Sequence, residues 1–94
     1  MVKVRHDRAV VCYVYILKCR NGMLYTGYTN NIERRLSEHN RGTASKFTRS
    51  RLPVTLSYLE KVNNRTLAMK RELRIKRLPR IKKIELCKLY EKRK

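Results

Sequence analysis

Residues 10–19 read VVCYVYILKC and form the longest apolar stretch of the chain. Aliphatic, β-branched and aromatic side chains occupy both alternating sets of positions, which is typical of a central strand buried on both faces. Arg20-Asn21-Gly22 follows, and Asn-Gly between apolar runs is the strongest short-range signal for a β-hairpin. Residues 23–28, MLYTGY, are then predicted to form the returning strand.

Two turn geometries compete at this hairpin. A two-residue Asn21-Gly22 loop pairs Arg20 with Met23, whereas a three-residue loop with Gly22 in the left-handed conformation pairs Cys19 with Met23. A shift of one residue in register moves every side chain to the other face of the sheet. Only the three-residue loop places Tyr15 and Tyr25 on the same face, and the sequence leaves both geometries open.

A helix is predicted to begin at Asn30 or Asn31. Asn30 followed by Glu33 three residues later resembles a capping box, and Gly42 is a suitable C-terminal stop. Residues 43–53, TASKFTRSRLP, are polar and basic, and we expect them to form a surface loop. Residues 54–60, VTLSYLE, alternate between apolar and polar as a third strand does.

Two further helices are predicted in the C-terminal part. Asn63 or Asn64 caps the first, which runs to about residue 77 with an apolar stripe of Leu67, Ala68, Ile75 and Leu78. Pro79 suits the first turn of the second, whose inward side chains are Ile81, Ile84 and Cys87. The order β-β-α-β-α-α predicts an α/β fold, an α+β sandwich, with a small three-stranded antiparallel sheet flanked by helices.

Charge dominates the composition. The 94 residues include 25 Lys and Arg against 7 Asp and Glu, which gives a net charge of +18. The length fits a single domain over 1–94 with a core over about 11–90. Such an excess of positive charge opposes compaction, and a polyanionic partner explains why it is present. Nucleic acid is the first candidate and anionic lipid the second.

Several protein classes are excluded by pattern. No run approaches ~18 apolar residues, and the N-terminal segment MVKVRHDRAV lacks the apolar region of a secretory signal. Three cysteines without a CxxC motif indicate neither a disulfide framework nor a zinc finger. We therefore expect a cytoplasmic protein. Binding to an anionic membrane is disfavoured because no helix has the bulky apolar face that insertion requires, and no feature indicates an obligate protein partner.

The motifs resemble those of the GIY-YIG nuclease family, most closely the small stand-alone UPF0213 members. The resemblance covers roughly residues 11–85 and rests on YVY at 13–15, YTG at 25–27, the ERRL.EHN.G helix, the T-R…P-V.L.Y segment and the KRE..IK run. Tyr13 and Thr26 stand where the triplets of the family name have Gly and Ile. The resemblance implies metal-dependent cleavage of phosphodiester bonds in DNA, with one Mg²⁺ or Mn²⁺ ion.

Tyrosines carry the first part of the implied site. By resemblance, Tyr15 orients the attacking water or the phosphate, Tyr25 is the general base, and Gly27 is structural at the site. An ordinary tyrosine pKa of about 10 leaves only roughly one phenol in a thousand ionised at pH 7. A general base at Tyr25 therefore requires nearby positive charge to lower its pKa.

Arg35, His39 and Glu72 complete the implied catalytic set. Arg35 supplies a fork of donors that fits phosphate oxygens. His39 is four residues later on the same helix face, and we expect it to act as a proton shuttle or a phosphate contact. Glu72 is the implied metal ligand, although Lys76 at i+4 also predicts an ordinary surface ion pair.

Basic residues outside this set predict a phosphate-tracking surface. Residues 70–83, KRELRIKRLPRIKK, hold eight basic residues and one acid. Phe47 either stacks on a base or anchors the loop 43–53. The expected nucleic-acid-binding residues are Lys46, Arg49, Arg51, Lys70, Arg71, Arg74, Lys76, Arg77, Arg80, Lys82 and Lys83. The positive charge supports cleavage and binding equally, so a non-catalytic DNA- or RNA-binding module is the alternative function.

Overall fold

Three antiparallel strands form one sheet in the order β2-β1-β3, with β1 in the centre. The computed structural model of the protein describes residues 10–93. The predicted architecture and element order are confirmed, and one short helix is added within the segment predicted as a loop. The elements are β1 (Cys12–Lys18), β2 (Leu24–Thr29), α1 (Ile32–Asn40), α2 (Lys46–Arg49), β3 (Thr55–Val62), α3 (Arg65–Lys76) and α4 (Arg80–Arg93).

The hairpin between β1 and β2 has the three-residue turn. The Cys19 N–H donates to the Met23 carbonyl at 2.8 Å, and the Gly22 N–H donates to the Cys19 carbonyl at 2.9 Å. Gly22 has φ +89°, in the left-handed region that glycine enters without steric cost. In the resulting register Gly27 lies opposite Tyr15 and Tyr25 lies opposite Leu17, so both tyrosines project from the same face.

Strand β1 is buried on both faces, as its sequence predicts. Val14 and Ile16 pack with Tyr58, Ala68 and Ile75 on the face covered by α3 and α4. On the opposite face, Tyr15, Leu17 and Cys19 pack with Val54 and with apolar residues of α1 and α2. The sheet therefore separates two small cores. All three cysteines are free thiols, and Cys12 and Cys19 are buried as expected.

Asparagine side chains determine where the helices begin. The Asn31 side chain accepts the Arg34 N–H at 3.0 Å, so Asn31, rather than Asn30, caps α1, and the Asn30–Glu33 capping box is not formed. Gly42 follows the helix end with φ +79°. Asn64 caps α3 in the same way, with its Oδ1 atom accepting the Leu67 N–H at 2.9 Å.

The segment 43–53 is more ordered than the expected surface loop. Ser45 caps α2, because its hydroxyl oxygen accepts the Phe47 N–H at 3.1 Å. Asn40 fixes the end of this segment: its amide donates to the Val54 carbonyl at 3.1 Å and accepts the Val54 N–H at 2.8 Å. Short-range side-chain caps and one buried threonine, Thr48, thus organise a stretch whose composition indicates only a loop.

Two side chains predicted to face the core are exposed. Leu67 in the first turn of α3 is 45% exposed, because Ala68 and Ile75, seven residues apart, define the buried face of that helix. Ile81 at the start of α4 is 60% exposed. The residues of α4 that pack against the sheet core are Leu86, Cys87 and Tyr90. The inward stripe therefore begins later along α4 than predicted.

Strand β3 begins one residue later and ends two residues later than predicted. Ile16 pairs with Tyr58 and Leu17 pairs with Leu56, so Ser57 is the extra residue of a β-bulge. Within residues 10–93, no helix combines the length and the apolar character needed to cross a bilayer. Residues 1–9, which include most of the segment read as lacking a secretory signal, lie outside the described residues.

Candidate active site

One cavity of about 570 Å³ gathers side chains from four elements. Tyr15 comes from β1, Tyr25 and Gly27 from β2, Arg35 from α1 and Glu72 from α3, and all five line the cavity. Because β2 is an edge strand, α1 and α3 reach this cavity from opposite faces of the sheet. Of the six residues implied as the site, only His39 does not line it.

Only glycine fits at position 27, because the Tyr15 side chain occupies the space that a Cβ atom would need. A Cβ atom built at this position lies 2.6 Å from the Tyr15 hydroxyl oxygen and 2.7 Å from Tyr15 Cζ, closer than real Cβ contacts. The Tyr15 ring therefore lies directly over the Gly27 backbone, where only a hydrogen atom fits. The β1–β2 pairing is regular here, so Gly27 does not serve a bulge.

His39 lies behind Tyr15. Its ring is 1% exposed, with Nε2 at 3.1 Å from the Tyr15 hydroxyl oxygen and Nδ1 at 2.9 Å from Thr48 Oγ1. The rings of Tyr15 and Tyr25 each contact the imidazole edge-on. Two roles were expected of His39, a phosphate contact and a proton shuttle. Its burial does not fit direct contact with a phosphate, whereas its hydrogen bond to the Tyr15 hydroxyl is compatible with proton transfer.

Burial shifts the proton affinities of this pair in opposite directions. It raises the pKa of Tyr15 above that of an ordinary tyrosine; the neighbouring Tyr25 adds to the rise and the Arg35 charge opposes it. Burial also lowers the pKa of His39, with the positive charge of Arg35 as the next cause. Both shifts favour the neutral forms, a phenol beside a neutral imidazole.

Arg35 is half-exposed at the cavity wall. Its Nη1 donates to Glu38 Oε1 at 3.0 Å, an i,i+3 contact that orients the planar guanidinium. Neighbouring Arg34 contacts Glu38 Oε2 at 3.8 Å and Asn30 at 3.4 Å, and it does not line the cavity. Two adjacent arginines with the same charge therefore have different positions relative to the site.

Glu72 is mostly buried and makes the ion pair that its spacing predicts, with Lys76 Nζ 3.4 Å from its Oε2. Within residues 10–93, no group of three or more His, Cys, Asp or Glu side chains could hold a metal ion together. A single carboxylate in a cavity with hydroxyl groups does not fit Zn²⁺, which takes three or four protein ligands. It fits Mg²⁺ or Mn²⁺, since Mg²⁺ binds one or two carboxylates and otherwise waters and phosphate oxygens.

Phe47 anchors the segment 43–53 to the site. Its ring stacks on Tyr25 with centroids 6.0 Å apart, and the Arg51 guanidinium lies 4.0 Å from the Phe47 ring centroid. Arg51 Nη1 also donates to the Phe47 carbonyl at 2.6 Å. The anchoring interpretation of Phe47 is thus the one that the contacts favour, and Tyr25 is held by the same stack.

The predicted phosphate-tracking residues divide into two groups. Arg51 is occupied by Phe47, and Arg71 donates to both Glu60 oxygens at 2.9 and 3.0 Å, with the Tyr58 hydroxyl donating to the same carboxylate. We retain the other nine as the cationic surface: Lys46, Arg49, Lys70, Arg74, Lys76, Arg77, Arg80, Lys82 and Lys83. Lys83 is half-buried and the other eight are exposed.

Thr48 is a buried neighbour of the candidate site that the sequence did not indicate. It is fully buried and contacts His39, but it is a single threonine within a polar, basic segment. No periodicity or charge pattern marks it. The only signal is its place in the T-R…P-V.L.Y segment, which says nothing about what the side chain contacts.

Comparisons with known proteins identify the family of this chain. The GIY-YIG catalytic domain matches residues 11–85. A UPF0213 protein of Oceanobacillus iheyensis is 51% identical over 79 residues, which cover 84% of this chain and 92% of that protein. A UPF0213 protein of Halobacterium salinarum is 48% identical over 71 residues, covering 76% and 92%.

Two solved structures share the fold. The solution structure of a UPF0213 protein from Bacillus halodurans has a TM-score of 0.55 and 40% identity, and the match covers 84% of each chain. That of a protein from E. faecalis has a TM-score of 0.58 and 41% identity over 86% of each chain. With its catalytic-domain match and these relatives, the chain belongs to the GIY-YIG family, as a member of its UPF0213 group.

Proposed function

We propose that the protein is a divalent-metal-dependent endonuclease that hydrolyses phosphodiester bonds in DNA. The observation that carries this proposal is the single cavity where a guanidinium, a carboxylate and two tyrosines meet. Phosphodiester hydrolysis requires an activated water, neutralised charge on the phosphoryl oxygens and a stabilised leaving oxygen. The cavity offers residues suited to the first two requirements.

Arg35 is assigned to the phosphate. Its guanidinium is held at the cavity wall by Glu38 and always carries its charge, so it can donate to two phosphoryl oxygens together. The charge on those oxygens grows as the water attacks, so a donor already in place stabilises the transition state more than the ground state. Its removal is therefore expected to affect the rate more than the affinity.

Glu72 is assigned to the cation. Its carboxylate lines the cavity, and its ion pair with Lys76 neutralises it in the absence of metal. When bound, Mg²⁺ or Mn²⁺ supplies a Lewis acid that offsets the charge of the phosphate. Lys76 is exposed enough to release the carboxylate when the cation arrives.

The two tyrosines are assigned different parts. Tyr25 is partly exposed in the cavity and is stacked on Phe47, which suits the general base that takes the proton of the attacking water. Tyr15 is buried, and burial keeps its hydroxyl protonated. It orients the water or the phosphate through that hydroxyl.

The experiment that tests this proposal is cleavage of a defined DNA duplex with Mg²⁺ or Mn²⁺, compared between wild type and Glu72→Gln. The matched control is Glu85→Gln, which removes another carboxylate that pairs with a lysine, 3.6 Å from Lys82 and away from the cavity. We expect chelation by EDTA and Glu72→Gln to abolish cleavage and Glu85→Gln to preserve it. Cleavage that survives Glu72→Gln would contradict the proposal.

A non-catalytic nucleic-acid-binding module is the second candidate. The observation that favours it is the Glu72–Lys76 ion pair, because a carboxylate already neutralised by a lysine needs no metal. In that case the nine-residue cationic surface binds DNA or RNA, and wild type shows salt-dependent binding without cleavage with either metal. The same cleavage assay therefore separates the two functions.

A further inference from the structure

We propose that Thr48 is a positioning residue that acts through His39 to fix the direction of the Tyr15 hydroxyl at the catalytic cavity. The inference deepens the proposed nuclease function and rests on it, because it specifies how one of the two tyrosines faces the reacting groups. It assigns a role to a buried threonine that lies outside the cavity and touches no substrate.

Two hydrogen bonds link Thr48 to Tyr15 at the cavity, and a third joins Thr48 to Ser45. The Thr48 hydroxyl lies 3.3 Å from the Ser45 carbonyl, which can only accept. Thr48 Oγ1 lies 2.9 Å from His39 Nδ1, and His39 Nε2 lies 3.1 Å from the Tyr15 hydroxyl oxygen. Thr48 and His39 are 0% and 1% exposed, so no water competes for these polar atoms.

The Ser45 carbonyl fixes the direction of donation along this series of hydrogen bonds, because a carbonyl can only accept. With the Thr48 proton donated to the Ser45 carbonyl, Oγ1 is an acceptor, so His39 Nδ1 carries the hydrogen. Nε2 is then unprotonated and accepts from the Tyr15 hydroxyl. Every hydrogen in the chain has an acceptor in this arrangement, and the Tyr15 oxygen presents only its lone pairs to the cavity.

The reverse arrangement is less favourable. If Thr48 donated to Nδ1, then Nε2–H would donate to the Tyr15 oxygen, and the Tyr15 proton would have to turn away from His39. Arg35 lines the same cavity, and its positive charge opposes the rise in the pKa of Tyr15. A guanidinium only donates, so it cannot accept that proton. The Tyr15 hydrogen would then point into the cavity and would need an acceptor other than His39.

The functional consequence is that Tyr15 acts purely as an acceptor toward the cavity. A water molecule or a guanidinium N–H can donate to it, but Tyr15 cannot donate to a phosphate oxygen. The water is thereby held with one hydrogen on Tyr15 and a lone pair free to attack phosphorus. Loss of the Thr48 hydroxyl removes the acceptor for Nδ1–H and frees His39 to adopt the other tautomer.

The test measures the His39 tautomer and the cleavage rate separately. The full-length chain, labelled with ¹⁵N, is analysed by long-range ¹H–¹⁵N correlation of the imidazoles, with His6→Gln used to assign the two histidines. Thr48→Val keeps the shape and removes the hydroxyl, Thr48→Ser restores it, and Thr43→Val is the control, since Thr43 bonds only the Glu38 carbonyl at the surface.

We expect the Nδ1–H tautomer in wild type, Thr48→Ser and Thr43→Val, and a shift toward Nε2–H in Thr48→Val. The single-turnover cleavage rate of Thr48→Val should fall about tenfold, which corresponds to about 1.4 kcal/mol, the size of one net hydrogen bond. We expect KM to change little and Thr48→Ser to cleave near the wild-type rate. An Nε2–H tautomer in wild type, or an unchanged tautomer in Thr48→Val, overturns the inference.

The two proposals fail in different ways. Absence of metal-dependent cleavage by wild type contradicts the nuclease function, whereas the tautomer measurement on the wild-type chain judges the Thr48–His39 link without any activity. Cleavage by Thr48→Val at the wild-type rate, with the tautomer shifted, shows that the direction of the Tyr15 hydroxyl does not matter and also overturns the inference. If Thr48→Val does not fold, Thr48→Ala removes the hydroxyl in the same measurement, and an Nε2–H tautomer in wild type still overturns the inference.

Discussion

Replacing Gly27 by alanine tests the packing on which the site depends. The added Cβ would lie 2.6 Å from the Tyr15 hydroxyl oxygen, 2.7 Å from Cζ and 3.2 Å from Cε1. Tyr15 is buried and bonded to His39, so its ring can move away from residue 27 only by leaving its packed position and weakening that bond. Inserting a methyl group into a packed core costs about 1–3 kcal/mol, and a weakened hydrogen bond to His39 adds about 1 kcal/mol.

The expected loss of unfolding free energy for Gly27→Ala is therefore about 3 kcal/mol. For a domain of this length it lowers the melting temperature by about 12–24 °C. Circular dichroism at 222 nm during thermal and urea unfolding measures both quantities. Cleavage should also be lost at temperatures where the variant is still folded, because the displaced ring carries the Tyr15 hydroxyl with it.

A double-mutant cycle isolates the contact. Tyr15→Leu removes the atoms that the new Cβ meets, so Gly27→Ala should cost little in that background, with a coupling of about 2–3 kcal/mol. Gly22→Ala is the control: no atom lies within 4 Å of its Cβ, but φ +89° imposes a backbone cost of about 1–2 kcal/mol that Tyr15→Leu leaves unchanged. The same cost for Gly27→Ala in both backgrounds would refute the reasoning.

Three further predictions concern stability and binding. Because burial and a neighbouring guanidinium lower the pKa of His39 below its unfolded value of about 6.5, the unfolded chain binds the extra proton first as the pH falls. In urea unfolding, the free energy of unfolding should decrease as the pH is lowered from 7 to 5, and it should decrease less steeply in His39→Gln. Equal pH dependence in the two proteins would contradict the lowered pKa of His39. Asn40→Ala removes both bonds to the Val54 backbone and should cost about 1–3 kcal/mol in the same assay. DNA affinity should fall steeply with salt, and Lys70→Ala should reduce the logarithmic slope by about 1 in fluorescence anisotropy titrations, whereas an unchanged slope would remove Lys70 from the cationic surface.

Local sequence signals predicted the sheet and the hairpin well. The buried run at residues 10–19 and the Asn-Gly turn specify a central strand and a return, because both depend on neighbouring residues. The sequence Arg20-Asn21-Gly22 suits either turn length, and the Cys19–Met23 pairing of the structure decides between them. The resemblance to GIY-YIG proteins then identified five residues that the structure places around one cavity.

Features that depend on tertiary contacts could not be predicted. Leu67 and Ile81 are apolar but exposed, because helix rotation is decided by Ala68 and by the later part of α4, and hydrophobicity alone does not reveal this. The sequence does not distinguish Arg51 from the other basic residues, whereas the structure shows its guanidinium stacked on Phe47. Thr48 lies nine residues from the histidine it contacts, in a segment where composition predicts a loop.

The adjacent arginines of α1 offer the most direct test that this cavity is an active site. Arg34→Gln and Arg35→Gln remove the same charge, and both side chains contact Glu38, but only Arg35 lines the cavity. Single-turnover cleavage and DNA affinity are measured for both variants with Mn²⁺. We predict a similar small loss of affinity in both and a rate loss of about 10²–10³-fold in Arg35→Gln alone. Equal cleavage rates for the two variants would contradict the account.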